Sequence, residues 1–135
     1  MTEKPKLALI VEDERVLLQL FSKVLGSAGY DVQTAANAVE AYDIAVNALP
    51  DVVVIDVILP DGNGLALLDR IRAIPELANI AAVCMTGYPI SAVLAERAGC
   101  EMLNKPFPPT ALLQAVEAAL ARRRDTGSSV NGKQV

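Results

Sequence analysis

Histidine is missing from this chain, and so is tryptophan. Without imidazole there is no histidine-based triad, no zinc site built on imidazole and no imidazole base near neutral pH. The protein also cannot carry a phosphohistidine of its own. Aromatic residues are scarce, three Tyr and two Phe, which argues against a single-strand nucleic-acid groove built on base stacking. The only cysteines, Cys84 and Cys100, lie in apolar or small-residue surroundings with no CxxC spacing. They read as buried, reduced thiols rather than as a redox or metal pair. No apolar run approaches the roughly 18 residues of a membrane span. The polar start, Met1 to Lys6, has no signal-peptide core, so a soluble, cytoplasmic protein without a membrane partner is expected.

What is present is an apolar, mildly acidic chain. Of its 135 residues 53% are hydrophobic, and 12 Lys+Arg against 16 Asp+Glu leave a net charge of −4. A single domain of this length buries roughly two-thirds of its unfolded surface without disulfides or a structural metal. Its acidity makes it a poor generic binder of nucleic acid or anionic membrane. The basic triplet Arg122 to Arg124 suits the dipole at a helix end, and three arginines without a recognition helix are too few for a DNA-contacting role.

Apolar runs and helical periodicities alternate along the sequence. Leu7 to Val11, Val52 to Ile55 and Ile80 to Met85 read as buried strands, Asp31 to Ala35 as a more polar edge strand, and Met102 to Asn104 as a short last one. Between them, Val16, Leu17, Leu20, Phe21, Val24 and Leu25 recur at helical spacing. So do Ala41, Ile44, Ala45 and Ala48 behind a capping-box-like Asn37 and Glu40. Leu65, Leu68 and Ile71 continue the pattern after the turn-rich loop Leu59 to Gly64. Ile90, Val93, Leu94 and Arg97 mark a fourth helix. Pro109 opens a fifth, with Leu112, Leu113, Val116 and Leu120 inward. Five βα units predict an α/β domain with a five-stranded parallel sheet and helices on both faces. The domain is expected over residues 1–124, and the polar stretch 125–135 reads as a disordered tail.

In an open α/β sheet, ligands bind beyond the carboxyl ends of the strands. There the sequence places Glu12 and Asp13 after the first strand, Asp56 after the third, Thr86 after the fourth and Lys105 after the fifth. Each alone has an ordinary structural reading, since acids after strands often cap the next helix. Their joint occurrence at matched positions points to chemistry. Two carboxylates about 4 Å apart repel by on the order of 4 kcal/mol at an effective dielectric near 20, and a divalent cation relieves that. Hard oxygen donors without imidazole point to magnesium or a similar ion with phosphate as co-ligand. A carboxylate held beside a cation and a lysine can attack a phosphoryl group.

Val11-Glu12-Asp13, Asp56 with Leu59-Pro60-Asp61-Gly62-Asn63-Gly64, Thr86-Gly87 and Lys105-Pro106-Phe107, in this order, resemble the receiver domains of two-component response regulators of the chemotaxis-regulator type. The resemblance runs from Lys6 to about Arg124. It implies a flavodoxin-like sheet of order 2-1-3-4-5, with Asp56 as phosphoacceptor from a histidine kinase or histidine phosphotransfer protein. It further implies Mg2+ held directly by Asp13, Asp56 and the backbone carbonyl of Ile58, with Glu12 acting mostly through water. Lys105 would pair with the phosphoryl group, Thr86 would swing toward it as the switch, and the bond to Pro106 would be cis.

Two positions depart from the family's pattern. Met102 stands three residues before the lysine, where receivers usually carry an aromatic rotamer switch, and a thioether offers no hydroxyl to a partner. Gly87 stands where small residues such as Ala are common, keeping room for the phosphoryl group. Tyr88 beside it could shield an acyl phosphate, or be a partly exposed loop aromatic. A phosphatase using an aspartyl phosphate would need a second acid at Ile58. A nucleotide or flavin carrier would need a glycine-rich phosphate loop where Glu12-Asp13-Glu14 would repel phosphate. The expectation is therefore a single-domain regulator that switches contacts with a downstream effector protein, with a phosphorylation-dependent dimer compatible with it. A receiver excised from a larger kinase or regulator and a phosphorylation-independent pseudo-receiver are the alternatives.

Overall fold

The computed structural model describes residues 4–88 and 92–133. Five parallel strands, β1 (Leu7–Val11), β2 (Asp31–Ala35), β3 (Val52–Asp56), β4 (Ala81–Thr86) and β5 (Glu101–Asn104), form one sheet of order 2-1-3-4-5. Register is set by Leu7 opposite Asp31, Ala8 opposite Val52, Val52 opposite Ala81 and Val83 opposite Glu101. β3 and β4 are buried at every position, as a central parallel strand requires, whereas edge strand β2 is largely exposed.

Strand alternation divides the core in two. Leu9, Val11, Val53, Ile55, Ala82 and Cys84 face α2 (Ala38–Ala48) and α3 (Gly64–Arg72), meeting Ala41, Ala45, Leu67, Leu68 and Ile71. The alternate residues Ala8, Ile10, Val54, Val83 and Met85 face α1 (Arg15–Ser27) and α5 (Pro109–Lys133). A fourth helix, α4 (Ala92–Ala98), precedes β5. Ile90 and the side chain of Val93, read as part of it, lie outside the described residues.

Several expectations shift in detail. The turn-rich loop after β3 contains a two-stranded antiparallel hairpin, Ile58–Leu59 with Gly62–Asn63, closed by Pro60 and Asp61. On α1 the buried residues are Phe21 and Leu25, while Val16 is 70% and Leu20 43% exposed. Periodicity alone does not separate the centre of an apolar stripe from its flank. Leu113 is half-buried beside the fully buried Leu112 and Val116. Leu67, absent from the predicted face of α3, is buried. Finally, the backbone of α5 stays helical to Lys133, through the stretch from Asp125 read as a disordered tail. Extending a formed helix costs little per residue, and no proline follows Pro109 to stop it.

Two arginines of the basic triplet do local work, the side chain of Arg124 lying outside the described residues. Arg122 pairs with Glu101 at 2.6 Å, and Arg123 donates to the Asp51 carbonyl at 2.8 Å. Both tie α5 to the amino-terminal side of the sheet. Among the described residues no helix is long and apolar enough to cross a membrane.

Candidate functional site

The strand order brings Glu12, Asp13, Asp56, Thr86 and Lys105 to one carboxyl-end rim. Backbone bonds lock the strand exits together: Glu12 N–H to Ala35, Val57 N–H to Met85 at 2.8 Å, and Lys105 N–H to Thr86 at 2.7 Å. Among the described residues, Glu12, Asp56 and Thr86 are the buried polar ones, 1%, 7% and 2% exposed. Asp13, one residue beyond Glu12, is exposed. Glu12 is still held against β2 by its N–H bond to the Ala35 carbonyl, whereas Asp13 lies past the strand at a bend and faces solvent.

Lys105 joins the two buried acids. Its Nζ donates to Glu12 Oε1 at 2.6 Å and to Asp56 Oδ2 at 2.7 Å. The resemblance had placed this ammonium against a phosphoryl oxygen; here it bridges carboxylates. The other oxygens are also engaged, with Glu14 N–H donating to Glu12 Oε2 at 3.0 Å and Ile58 N–H to Asp56 Oδ1 at 3.0 Å. Desolvation raises the Glu12 pKa above the usual carboxylate value, and Asp56's charge adds to this against the Lys105 and Glu14 hydrogen bonds. Desolvation opposes the Lys105 charge, yet the hydrogen bonds and charges of Asp56 and Glu12 outweigh it and raise the Lys105 pKa.

Oxygen atoms of Glu12, Asp13 and Asp56 lie within 4.8 Å of one another. Three carboxylates, one of them open to solvent, suit a hard divalent cation that retains water, and Mg2+ fits this donor set. Ile58 is 56% exposed at the first position of the hairpin. Thr86 Oγ1 accepts from Tyr88 N–H at 3.0 Å, and Tyr88 itself is 66% exposed. A Cβ built on Gly87 meets nothing within 4 Å, so space there does not depend on glycine. Met102 is half-buried against the α2–α3 side of the core, its sulfur 3.8 Å from the Cys100 thiol. The Lys105–Pro106 bond is cis. Phe107 stacks on Phe21 of α1, centroids 5.4 Å apart, anchoring the chain just after the lysine.

Cys84 and Cys100 are both buried, reduced thiols. The hydrogen bond to Cys100 and burial push the Cys84 thiol far up from its ordinary range, which makes it unreactive.

Gly64 and Asp61 are two site-shaping residues that sequence reasoning left inside the turn motif. A Cβ on Gly64 would lie 2.2 Å from the Asp56 carbonyl oxygen, so only glycine lets α3 start this close to the acceptor. Asp61 reaches across to α2, accepting from Ala38 N–H at 2.7 Å. The turn signal was readable, but its partner 23 positions away has no sequence signature.

Comparison with known proteins agrees with this geometry. The family model for the response regulator receiver domain matches residues 8–117. The chain is 33% identical over 113 residues to the DNA-binding transcriptional regulator NtrC of Azospirillum brasilense, spanning 83% of this chain but only 24% of that protein. It is 27% identical over 119 residues to the polar-differentiation response regulator DivK of Brucella anthropi, spanning 86% of this chain and 97% of that one. Among solved structures, a CheY-like receiver domain protein from Methanospirillum hungatei JF-1 superposes with a TM-score of 0.81 at 27% identity, covering 90% of this chain and 98% of that one. The chemotaxis response regulator CheY4 of Vibrio cholerae gives 0.79 at 28% identity, over 85% and 98% of the two chains. The acidic cluster of Glu12, Asp13 and Asp56 matches the Mg2+ pocket of such domains. The chain belongs to the family of response regulator receiver domains, the phosphoaccepting modules of two-component systems.

Proposed function

We propose that Asp56 is the phosphoacceptor of this receiver domain, which switches protein contacts on phosphorylation. The observation that carries this is the recessed Asp56 carboxylate, held between the Lys105 ammonium and the Ile58 N–H beside two further acids. In the transfer, a carboxylate oxygen of Asp56 forms an O–P bond as the N–P bond of a phosphohistidine on the donor breaks. The departing imidazole takes up a proton from solvent. Asp13, Asp56 and the Ile58 carbonyl would hold Mg2+ directly, with Glu12 acting mostly through water. The ion supplies charge neutralisation at the transferring oxygens.

Lys105 has three N–H donors and spends two on Glu12 and Asp56; the ammonium is thus already poised to follow charge onto a phosphoryl oxygen. Thr86 closes from the fourth strand beside Gly87, and Met102 repacks as the readout. The donor is a histidine kinase or histidine phosphotransfer protein, and the output is contact with an effector protein. The match spans 97% of DivK and 24% of NtrC, so this module serves in regulators of both lengths.

Incubation with acetyl phosphate and Mg2+ is expected to add one phosphoryl group by intact-mass measurement, and Asp56→Asn to abolish it. No mass gain in the wild type would mean a phosphorylation-independent pseudo-receiver.

A further inference from the structure

Asp61 stands at the turn of the hairpin that follows the acceptor. Its two carboxylate oxygens accept from Ala38 N–H at 2.7 Å and Val39 N–H at 3.1 Å, the first two helical residues of α2. Every helix leaves its first N–H groups without an intrahelical partner. Here the local cap serves others: Asn37 Oδ1 accepts from Glu40 N–H at 2.8 Å, and Glu40 Oε1 accepts from Ala36 N–H at 2.9 Å. Asp61 takes the two donors that this cap leaves over. An anion at a helix amino terminus is favourable, and the hydrogen bonds from Ala38 and Val39 lower the Asp61 pKa despite some desolvation.

The root of the hairpin lies against Asp56. Ile58 N–H donates to Asp56 Oδ1 at 3.0 Å, and Gly64 N–H to the Val57 carbonyl at 2.7 Å. Between root and tip, Leu59 packs into the core and Asn63 Oδ1 accepts from the Leu65 and Ala66 N–H groups, while Ile58 and Gly62 are exposed, and Asp61 is the turn residue that ties the tip to α2. The clasp at the tip therefore restrains the backbone at Ile58, which orients the acceptor carboxylate.

We propose that Asp61 is a positioning residue for phosphoryl acceptance at Asp56, acting through the hairpin it clasps to the amino terminus of α2. This rests on the reading of Asp56 and its Mg2+ site given above. It also makes α2 a second element mechanically joined to the acceptor loop, on the side of the sheet away from α5.

The test compares amide hydrogen exchange by NMR in metal-free wild type, Asp61→Ala and Asp61→Asn. In Asp61→Ala, exchange should quicken about fivefold at Ala38 and Val39, the scale of a lost helix cap, and also at Ile58. The core amides of β1 and β3 should stay unchanged. Asp61→Asn, which keeps one acceptor oxygen, should fall between. In a chemical-shift titration the Mg2+ dissociation constant should rise by a similar factor, ordered Ala above Asn above wild type. Faster exchange at Ala38 and Val39 with Ile58 and Mg2+ affinity unchanged would reduce Asp61 to a cap of α2 and overturn the proposal. A wild type that binds no Mg2+ while Ile58 still responds to the substitution supports the tether and instead overturns the reading of the site.

Discussion

Lys105 carries two opposing electrostatic duties, and the balance can be measured. Its ammonium is the counter-charge for Glu12, an acid only 1% exposed and already raised in pKa by desolvation. Removing one partner of a largely buried pair strands the other, so Lys105→Met should destabilise the protein by about 2 kcal/mol at pH 8. The pH dependence follows from the direction of the Glu12 shift. A carboxylate whose folded pKa lies above its unfolded value binds protons preferentially in the native state. Its favourable contribution is present below the unfolded pKa and is lost as pH rises through the folded one. Without Lys105 that folded pKa climbs further. The penalty of the substitution should thus be smaller at about pH 5 than at pH 8, because lower pH favours the protonated form of Glu12. Urea unfolding in EDTA at the two pH values checks this, and a penalty independent of pH would show that Glu12 is not the stranded charge. The sequence placed Lys105 at the rim but gave no sign that Glu12 rather than a phosphate would be its resting partner, because burial of Glu12 depends on which strand flanks it.

At the scale of elements, close approach decides what the acceptor loop can tolerate. Gly64 opens α3 where a Cβ would lie 2.2 Å from the Asp56 carbonyl oxygen and 2.6 Å from Ile55 Cγ2. Backbone cannot yield as a flexible side chain can, so Gly64→Ala should cost about 3 kcal/mol. By contrast, Gly87→Ala should leave the melting temperature nearly unchanged, since the added carbon meets nothing. The pair of variants, melted side by side, separates a glycine required by packing from one that merely occupies a loop. At the opposite edge, Arg72 at the end of α3 donates to the Ala98, Ile80 and Gly99 carbonyls, binding the α4–β5 connection to the loop before β4. Neither contact was legible in the turn and helix patterns. Asn37 was more transparent, since it caps its own helix through the Glu40 N–H three residues on, a local relation that spacing reveals; Asn63, read only as part of the turn, caps α3 through the Leu65 and Ala66 N–H groups.

For the whole molecule, the carboxylate cluster couples metal binding to stability. Asp13 lies in the acidic cluster, while Lys105 forms ion pairs with Glu12 and Asp56. Asp13→Asn should therefore melt above the wild type without metal, by an amount corresponding to about 1 kcal/mol of relieved repulsion. Adding Mg2+ at ten times its dissociation constant should stabilise the wild type by about 1.4 kcal/mol and the variant far less, as differential scanning fluorimetry in EDTA and in Mg2+ would read. A variant that melts no higher in EDTA would show that Lys105 already neutralises the cluster. Alternating apolar runs, helical spacings and strand-end polar residues were enough to determine the βα order, the parallel sheet and the rim where Glu12, Asp13, Asp56, Thr86 and Lys105 meet. These are local signals, governed by periodicities of two and 3.6 residues and by residues adjacent in the chain. Tertiary structure alone decided which acid is enclosed, which face of α1 is bare, that Phe107 stacks on Phe21, and that Asp61 clasps α2. Each of these depends on elements far apart in sequence being brought into contact, and pairwise contacts across such separations leave no period in a single chain to read.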